Sequence, residues 1–317
     1  MTLGSLQSRG FLPVATATLD PATVLGCDLY IQRNGVRTAE LYRERNYPFE
    51  PDDLARLREA GVDHLYVRLE EADAYRAYLC THVLHQAEIP ITVRLNALRE
   101  VTRIAFQDAL TANNCDRLVH AADDFSRDLA QMVAEHSPAF GELFAMLEHD
   151  YYTFTHVCNV SIYCAVIGFR MGFCELARLA AGALLHDIGK RHIPHHILNK
   201  PGDLTDEEWA LVYEHPTVGF RELAGRTDLT WGQLMMVYQH HERLDGSGYP
   251  TGVRADEIHP WAKICSVADV FDAMTCQRSY RRGMPLSLVC DFLRKNAGTR
   301  FDSEVVTCWL AQMRSRP

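Results

Sequence analysis

The sequence predicts a mainly helical protein with a small α/β unit at its N-terminus and a helical connector leading into a larger helical domain. Three observations carry this. Apolar and polar residues alternate at period two only within about the first seventy residues. From Ile91 onward apolar residues recur at helical spacing, and from Pro138 to Trp309 almost every segment reads as helix joined by short loops. The 317 residues, 47% hydrophobic and 23% charged, have the composition of an ordinary globular chain with a sizeable core, long enough for about two domains.

The elements follow in order. Asp28-Leu29-Tyr30-Ile31-Gln32 alternates as a strand, Asn34-Gly35 supplies a turn, and Thr38 to Tyr42 returns as a second strand. Pro51-Asp52-Asp53 opens a helix that runs through Ala60 and is stopped by Gly61. His64 to Leu69 reads as another strand and Glu70 to His85 as a closing helix, so residues 1–90 form the α/β unit, with a regulatory or sensory role. Pro90 breaks the chain, and residues 91–136 are the connector. There Leu95, Leu98, Val101, Ile104 and Leu110 approximate one apolar face, with Arg94, Arg99 and Arg103 outside it. The polar stretch Thr111 to Asp116 divides this helix from the next, which Ser137-Pro138 ends. The face on Leu95, Leu98 and Val101 motivates the hypothesis of a homodimer. Residues 137–317 form the helical domain.

Composition excludes several functions. A net charge of −9 and the lack of an aromatic-basic stripe argue against a nucleic-acid polymer as partner. No apolar run reaches 18 residues, and Ser161 to Phe169 is far too short to span a membrane. Asp20 and the lack of a long apolar stretch near the N-terminus speak against a signal peptide. The ten cysteines form no CxxC pair and read as reduced thiols, so the expected location is cytoplasmic.

The fifteen histidines matter by placement. After residue 150 come His156, the pair His186-Asp187, His215, the pair His240-His241, and Asp269. Imidazole and carboxylate are the usual ligands of iron, manganese and zinc. Ala180 to Leu185 is a small-residue helix that delivers His186-Asp187 at its C-terminal end, after which Gly189 frees the backbone to turn. Neighbouring residues on a helix diverge by about 100°, so such doublets belong at helix ends or address two ions, and a carboxylate can bridge two ions. One buried histidine is ordinarily a hydrogen-bonded core residue; two doublets embedded in apolar helices would bury costly polar groups without a metal. His64, His82, His85, His120, His136 and His149 read as surface or packing residues, whereas His192, His195, His196 and His259 fall near the rim in sequence. Asp203 to Glu208 reads as a capped helix start.

Three segments together resemble an HD-GYP domain of the HD metal-dependent phosphohydrolase superfamily: His186-Asp187-Ile188-Gly189-Lys190, His240 to Pro250 with its Gly248-Tyr249-Pro250, and Val267 to Ala273. Leu198 to Gly202, Arg278-Ser279-Tyr280-Arg281 and Phe301-Asp302 fit the same pattern, and the resemblance covers roughly residues 140 to 313. It implies a helical phosphodiesterase hydrolysing cyclic di-GMP to pGpG by a bridging hydroxide at a dinuclear site. It also implies two divalent ions, iron or manganese. His156, His186, Asp187 and Asp269 would hold one ion; Asp187 would bridge to a second, held also by His215, His240 and His241. Lys190 and Arg278 would contact phosphate and Tyr249 the nucleotide. Asp272, three residues after Asp269, would orient a metal-bound histidine or water, or protonate the leaving group. Some members carry a glutamate one turn before the first histidine for a third metal. Tyr152 stands there in this chain; its pKa near 10 makes it a poor ligand, and Glu148 is about 12 Å from His156 along a helix. Lys263 and Ser279 depart from the usual arginine and proline. The rival expectations are a non-catalytic signalling module and a phosphohydrolase acting on another cyclic dinucleotide.

Overall fold

Two compact units, residues 1–118 and 119–317, make up the chain. The computed structural model describes residues 10–19, 23–32, 38–136, 153–200, 202–276 and 283–314. The Asn34-Gly35 turn and the Ser137-Pro138 helix stop lie outside the described residues.

In the first unit, β1 (Phe11–Ala15), β2 (Leu29–Gln32), β3 (Ala39–Arg43) and β4 (His64–Arg68) form an antiparallel sheet in the order β1-β4-β2-β3. Leu12 pairs with Val67 and Val14 with Leu65, and all four side chains are buried on the face that the helices cover. β1, which the sequence reading did not place, contains Pro13; it lies at the sheet edge, where proline is tolerated. The helix α1 (Pro51–Glu59) opens with a capping box between Glu50 and Asp53 and ends before Gly61, whose φ of +65° is left-handed. The expected closing helix is present as α2 (Ala72–Leu79), but it continues into a π-helical turn over Cys80–Leu84.

The helix α3 (Ile91–Thr111) corrects the expectation for its arginines. Arg94 and Arg99 are buried, not outside. The 3-10 turn Thr16–Thr18, α2 and the π-turn all pack on α3, so more than one of its faces is covered. Arg94 Nε donates to the Leu84 carbonyl at 2.9 Å, serving the end of the π-turn. Leu110, placed on the apolar face by spacing, is exposed near the helix end. Ala97 and Ile104 belong to the core of the first unit, and Leu95 and Leu98 are buried within the chain, which leaves the face that motivated dimerisation already covered. The helix α4 (Cys115–His136) contains the division between the units.

The second unit is helical: α5 (Thr153–Arg170), α6 (Leu176–Leu185), α7 (Asp206–Tyr213), α8 (His215–Leu223), α9 (Trp231–Gln239), α10 (Pro260–Thr275), α11 (Leu286–Asn296) and α12 (Ser303–Arg314). A 3-10 turn at Ile188–His192 and a one-turn helix at His195–Leu198 follow α6. The start of α7 is capped as expected, Thr205 and Glu208 exchanging side-chain and backbone hydrogen bonds. α5 packs on α6, α6 on α9, α9 on α10 and α10 back on α5, closing a four-helix ring; α8 packs on α9 and on the turn after α6. Beneath the ring, Tyr163 of α5, Phe271 of α10 and Trp309 of α12 meet with ring centroids 4.9–5.4 Å apart. Among the described residues no helix is long and apolar enough to cross a membrane.

Trp309 is fully buried and holds α5 and α10 together. Trp309→Ala is therefore expected to lower unfolding free energy by about 3–5 kcal/mol in urea titrations, with Trp309→Phe costing less.

Candidate metal centre

The helix ends of the ring bring the sequence-predicted ligands to one point. His156 lies near the start of α5, His186 and Asp187 just past the end of α6, and His215 at the start of α8. His240 and His241 follow the end of α9, and Asp269 and Asp272 lie on α10. Gly189 is needed at the turn after Asp187 for close approach: a Cβ there would meet the His215 carbonyl at 2.0 Å and Gly219 N at 2.8 Å. Its φ is not left-handed, so packing against α8, not turning freedom, requires the glycine.

Asp187 is the centre of the arrangement. His215 Nε2 lies 3.2 Å and His240 Nε2 3.7 Å from its Oδ1. His186 Nε2 lies 3.4 Å and His156 Nε2 3.7 Å from its Oδ2. Asp269 flanks both sides, with Oδ1 3.2 Å from His156 Nε2 and Oδ2 3.8 Å from His241 Nδ1. Two overlapping groups result, Asp187 with His215, His240 and His241, and Asp187 with His156 and His186.

The other nitrogens of these rings fix their protons. His186 Nδ1 is 2.6 Å from the Ala183 carbonyl, His215 Nδ1 2.7 Å from that of Val212, and His240 Nδ1 3.0 Å and 3.1 Å from those of Met236 and Val237. A carbonyl only accepts, so each Nδ1 donates, and each neutral ring turns an Nε2 lone pair toward Asp187. His156 does the same through Asp272, whose Oδ2 is 2.7 Å from Nδ1. His215 Nε2 and His240 Nε2 stand 3.2 Å apart, and among the described residues His186 Nε2 and Asp187 Oδ1 are buried without a hydrogen bond. Lone pairs and a carboxylate converging in a buried space repel one another unless a cation lies between them. The donor set fits divalent metal.

Electrostatics favour the ligand forms. Burial pushes the His186 imidazole down to about 3 and also lowers His215 and His241. Asp187 and Asp269 are held well below the usual carboxylate range despite burial, Asp187 chiefly by the Lys190 ammonium and Asp269 by the imidazoles beside it, His156 first and then His241. Lys190 Nζ, partly exposed, lies 2.6 Å from Asp187 Oδ2.

Of the two roles open to Asp272, the geometry serves the orienting one. It is fully buried, and its oxygens accept from His156 Nδ1 and from Asn159 Nδ2 at 2.9 Å. Tyr249 stacks on His241 with ring centroids 4.6 Å apart. Arg278, Ser279, Tyr152 and Glu148 lie outside the described residues. Two of the rim histidines have other partners: His192 meets Glu222 at 2.9 Å, and His259 Nδ1 caps α10 by accepting from Trp261 N.

Sequence reading missed Asn159 and Glu242. Asn159 follows His156 by three residues, the one signal that put it on the same helix face. Glu242 is buried, and its carboxylate accepts from Thr251 N at 2.8 Å, Thr251 Oγ1 at 2.7 Å and Gly252 N at 3.1 Å, tying down the loop that carries Tyr249. In that loop Gly248 passes so close that a Cβ would meet Glu242 Cα at 2.4 Å.

A family model described as HD domain matches residues 127–305. The chain belongs to the HD domain family. Its Gly248-Tyr249-Pro250 segment and its relatives place this HD domain in the HD-GYP group. It is 32% identical over 254 residues to a protein of Pseudomonas aeruginosa named a cyclic di-GMP phosphodiesterase, a match covering 73% of this chain and 60% of that one. A Thermotoga maritima protein of the same name is 39% identical, the match covering 51% of this chain and 45% of that one. A Vibrio cholerae protein named a 3′3′-cGAMP-specific phosphodiesterase is 36% identical, covering 48% of this chain and 34% of that one. The chain thus spans from about a third to three fifths of the length of these relatives. A solved structure described as an HDG"Y"P protein of Bdellovibrio bacteriovorus shares the fold, with a TM-score of 0.67 at 18% identity, covering 96% of this chain and 100% of that one.

Two outcomes follow for the HD domain. Asp272→Asn is expected to lower metal affinity about 10–100-fold in chelator competition, since it weakens the hydrogen bond that orients His156. Metal-stripped protein is expected to lose stability as pH falls below 6.5, the ordinary histidine value, toward the 3 of buried His186. Across that window the unfolded chain binds protons that the folded one refuses, so stability rises with pH. Thermal unfolding from pH 7 to 5 checks the slope, which His186→Leu should flatten.

Proposed function

We propose that this HD domain is a metal-dependent phosphodiesterase that hydrolyses cyclic di-GMP to pGpG, with slower onward cleavage to GMP, at a two-metal site. The observation that carries the reading is the division of Asp187, whose Oδ1 faces His215 and His240 while Oδ2 faces His156 and His186. His156, His186, Asp187 and Asp269 would hold one ion and Asp187, His215, His240 and His241 the other, and iron or manganese suits such imidazole-carboxylate sets. When bound, a pair of such ions supplies a nucleophilic water at neutral pH and positive charge against the phosphoryl oxygens.

The chain's own groups do the rest. Asp272 and the helix-end carbonyls hold the imidazoles in their ligating tautomers. Lys190 keeps an ammonium beside Asp187, within reach of a nonbridging phosphate oxygen brought to the site. Arg278 is assigned the second phosphate contact on the family resemblance, and Tyr249 forms part of the wall beside His241.

The relatives named cyclic di-GMP phosphodiesterases support the substrate. The relative named for 3′3′-cGAMP favours a second reading, in which one guanine gives way to adenine. We assign residues 1–90 a regulatory or sensory role, residues 91–136 that of connector, residues 137–317 that of catalytic domain, and the cytoplasm as the place of action.

Protein purified without oxygen is expected to carry about two iron or manganese ions per chain and to release pGpG from cyclic di-GMP; Asp187→Ala should abolish both. Elemental analysis with product chromatography on one sample checks this. Bound metal without turnover of any cyclic dinucleotide would overturn it, and three ions with GMP as main product would overturn the two-metal assignment.

A further inference from the structure

A cavity of about 320 Å³ opens beside the metal centre, between one face of α8 and the Tyr249-Pro250 loop. Its lining includes Tyr213, Glu214, Arg221 and Tyr249. That volume is at the small end of ligand sites, about 300–1,000 Å³. Glu214 directly precedes His215, and Tyr249 stacks on His241, so two lining residues of the cavity adjoin the candidate metal centre.

The rings form a path from the surface inward. Trp209 and Tyr213 stack at 5.5 Å with 27° between planes, Tyr213 meets Tyr249 at 4.6 Å, and Tyr249 meets His241 at 4.6 Å. Trp209 and Tyr213 are exposed although they are large and aromatic. Aromatic faces left open next to a polar cavity are platforms on which a base stacks whatever its identity.

Identity is set by the two charges. Among the described residues Glu214 and Arg221 have no ion-pair partner, and both are exposed. Glu214, the residue before α8, and Arg221 within it lie seven residues apart, about 10 Å along the axis, which leaves space for a base with a hydrogen bond at each end. An ionised carboxylate only accepts, and guanidinium only donates. Guanine offers adjacent N1–H and N2–H donors on one edge and the O6 and N7 acceptors on the other, the pair that arginine reads in two bonds. Adenine would turn its N1 lone pair toward the carboxylate and its N6 amino group toward the guanidinium side.

We infer that this cavity is a guanine-selective base subsite, with Glu214 and Arg221 reading the base edges and the contacting pair Tyr213 and Tyr249 together forming one wall against its ring. The inference rests on the phosphodiesterase reading and adds the residues that choose the base. It accommodates any cyclic dinucleotide with at least one guanine and disfavours cyclic di-AMP.

Calorimetric titration of the full chain with GMP and with AMP tests it apart from turnover. Wild type is expected to prefer GMP by at least about tenfold. Glu214→Gln replaces one acceptor by a donor and should reduce that preference at least about tenfold, partly by strengthening AMP, because the carboxamide NH2 can donate to the adenine N1 that faces it. Arg221→Met should weaken GMP and leave AMP unchanged. The ratio of kcat/KM for cyclic di-GMP over cyclic di-AMP should fall in parallel in Glu214→Gln. Equal binding of GMP and AMP by wild type, or an unchanged preference in Glu214→Gln of wild-type fold and metal content, overturns the inference. Guanine-selective binding without hydrolysis of any cyclic dinucleotide leaves the subsite standing and defeats the phosphodiesterase reading instead.

Discussion

The structure of the second unit depends on one electrostatic problem: a buried carboxylate, Asp187, faced by the unprotonated nitrogens of His156, His186, His215 and His240. Each of these rings has committed its proton to another acceptor, so none can relieve its neighbours by donating. In a protein interior such a cluster is strongly unfavourable without positive charge. The metal-binding character of the site therefore follows from the hydrogen bonds behind the ligands as much as from the ligands themselves.

The fold solves the problem with a repeated local device. His186, His215 and His240 each reach the backbone carbonyl three residues earlier, those of Ala183, Val212 and Val237. Carbonyls at helix ends lack their usual partner four residues on and are open to a side chain. Placing a ligand at a helix terminus thus satisfies an orphan carbonyl and sets the tautomer together. His156 lies in the first turn of α5, not past a helix end, and there a carboxylate from α10 takes the same part. Asn159 in turn holds that carboxylate, so α5 and α10 are joined by a polar chain in a wall of apolar contacts.

Close packing sets the outer shape of the site. Gly189 lets the turn after Asp187 touch α8, and Gly248 lets the Tyr249 loop lie on Glu242. The buried Glu242 carboxylate gathers the amides of Thr251 and Gly252, which fixes the loop without a regular element. Tyr249 then stands between His241 and the exposed rings of Tyr213 and Trp209, which joins the candidate metal centre to the neighbouring cavity.

The sequence alone determined the chemistry-bearing positions, because doublets such as His186-Asp187 and His240-His241 inside apolar helices have few other uses, and their helix-end placement follows from local spacing. It also determined β2, β3, β4 and the helix from Pro51, whose turn and cap residues are local signals. Tertiary structure decided what depends on neighbours far along the chain. Edge placement admitted Pro13 into β1, and coverage on several sides drew Arg94 and Arg99 inward, which no single-helix pattern reveals. The pairing of His156 with Asp272 across 116 residues, and the clamp of Glu242 on its loop, arise only when separate segments meet. Periodicity reports which face of a segment is apolar; it carries no record of which polar group another segment will bring to it.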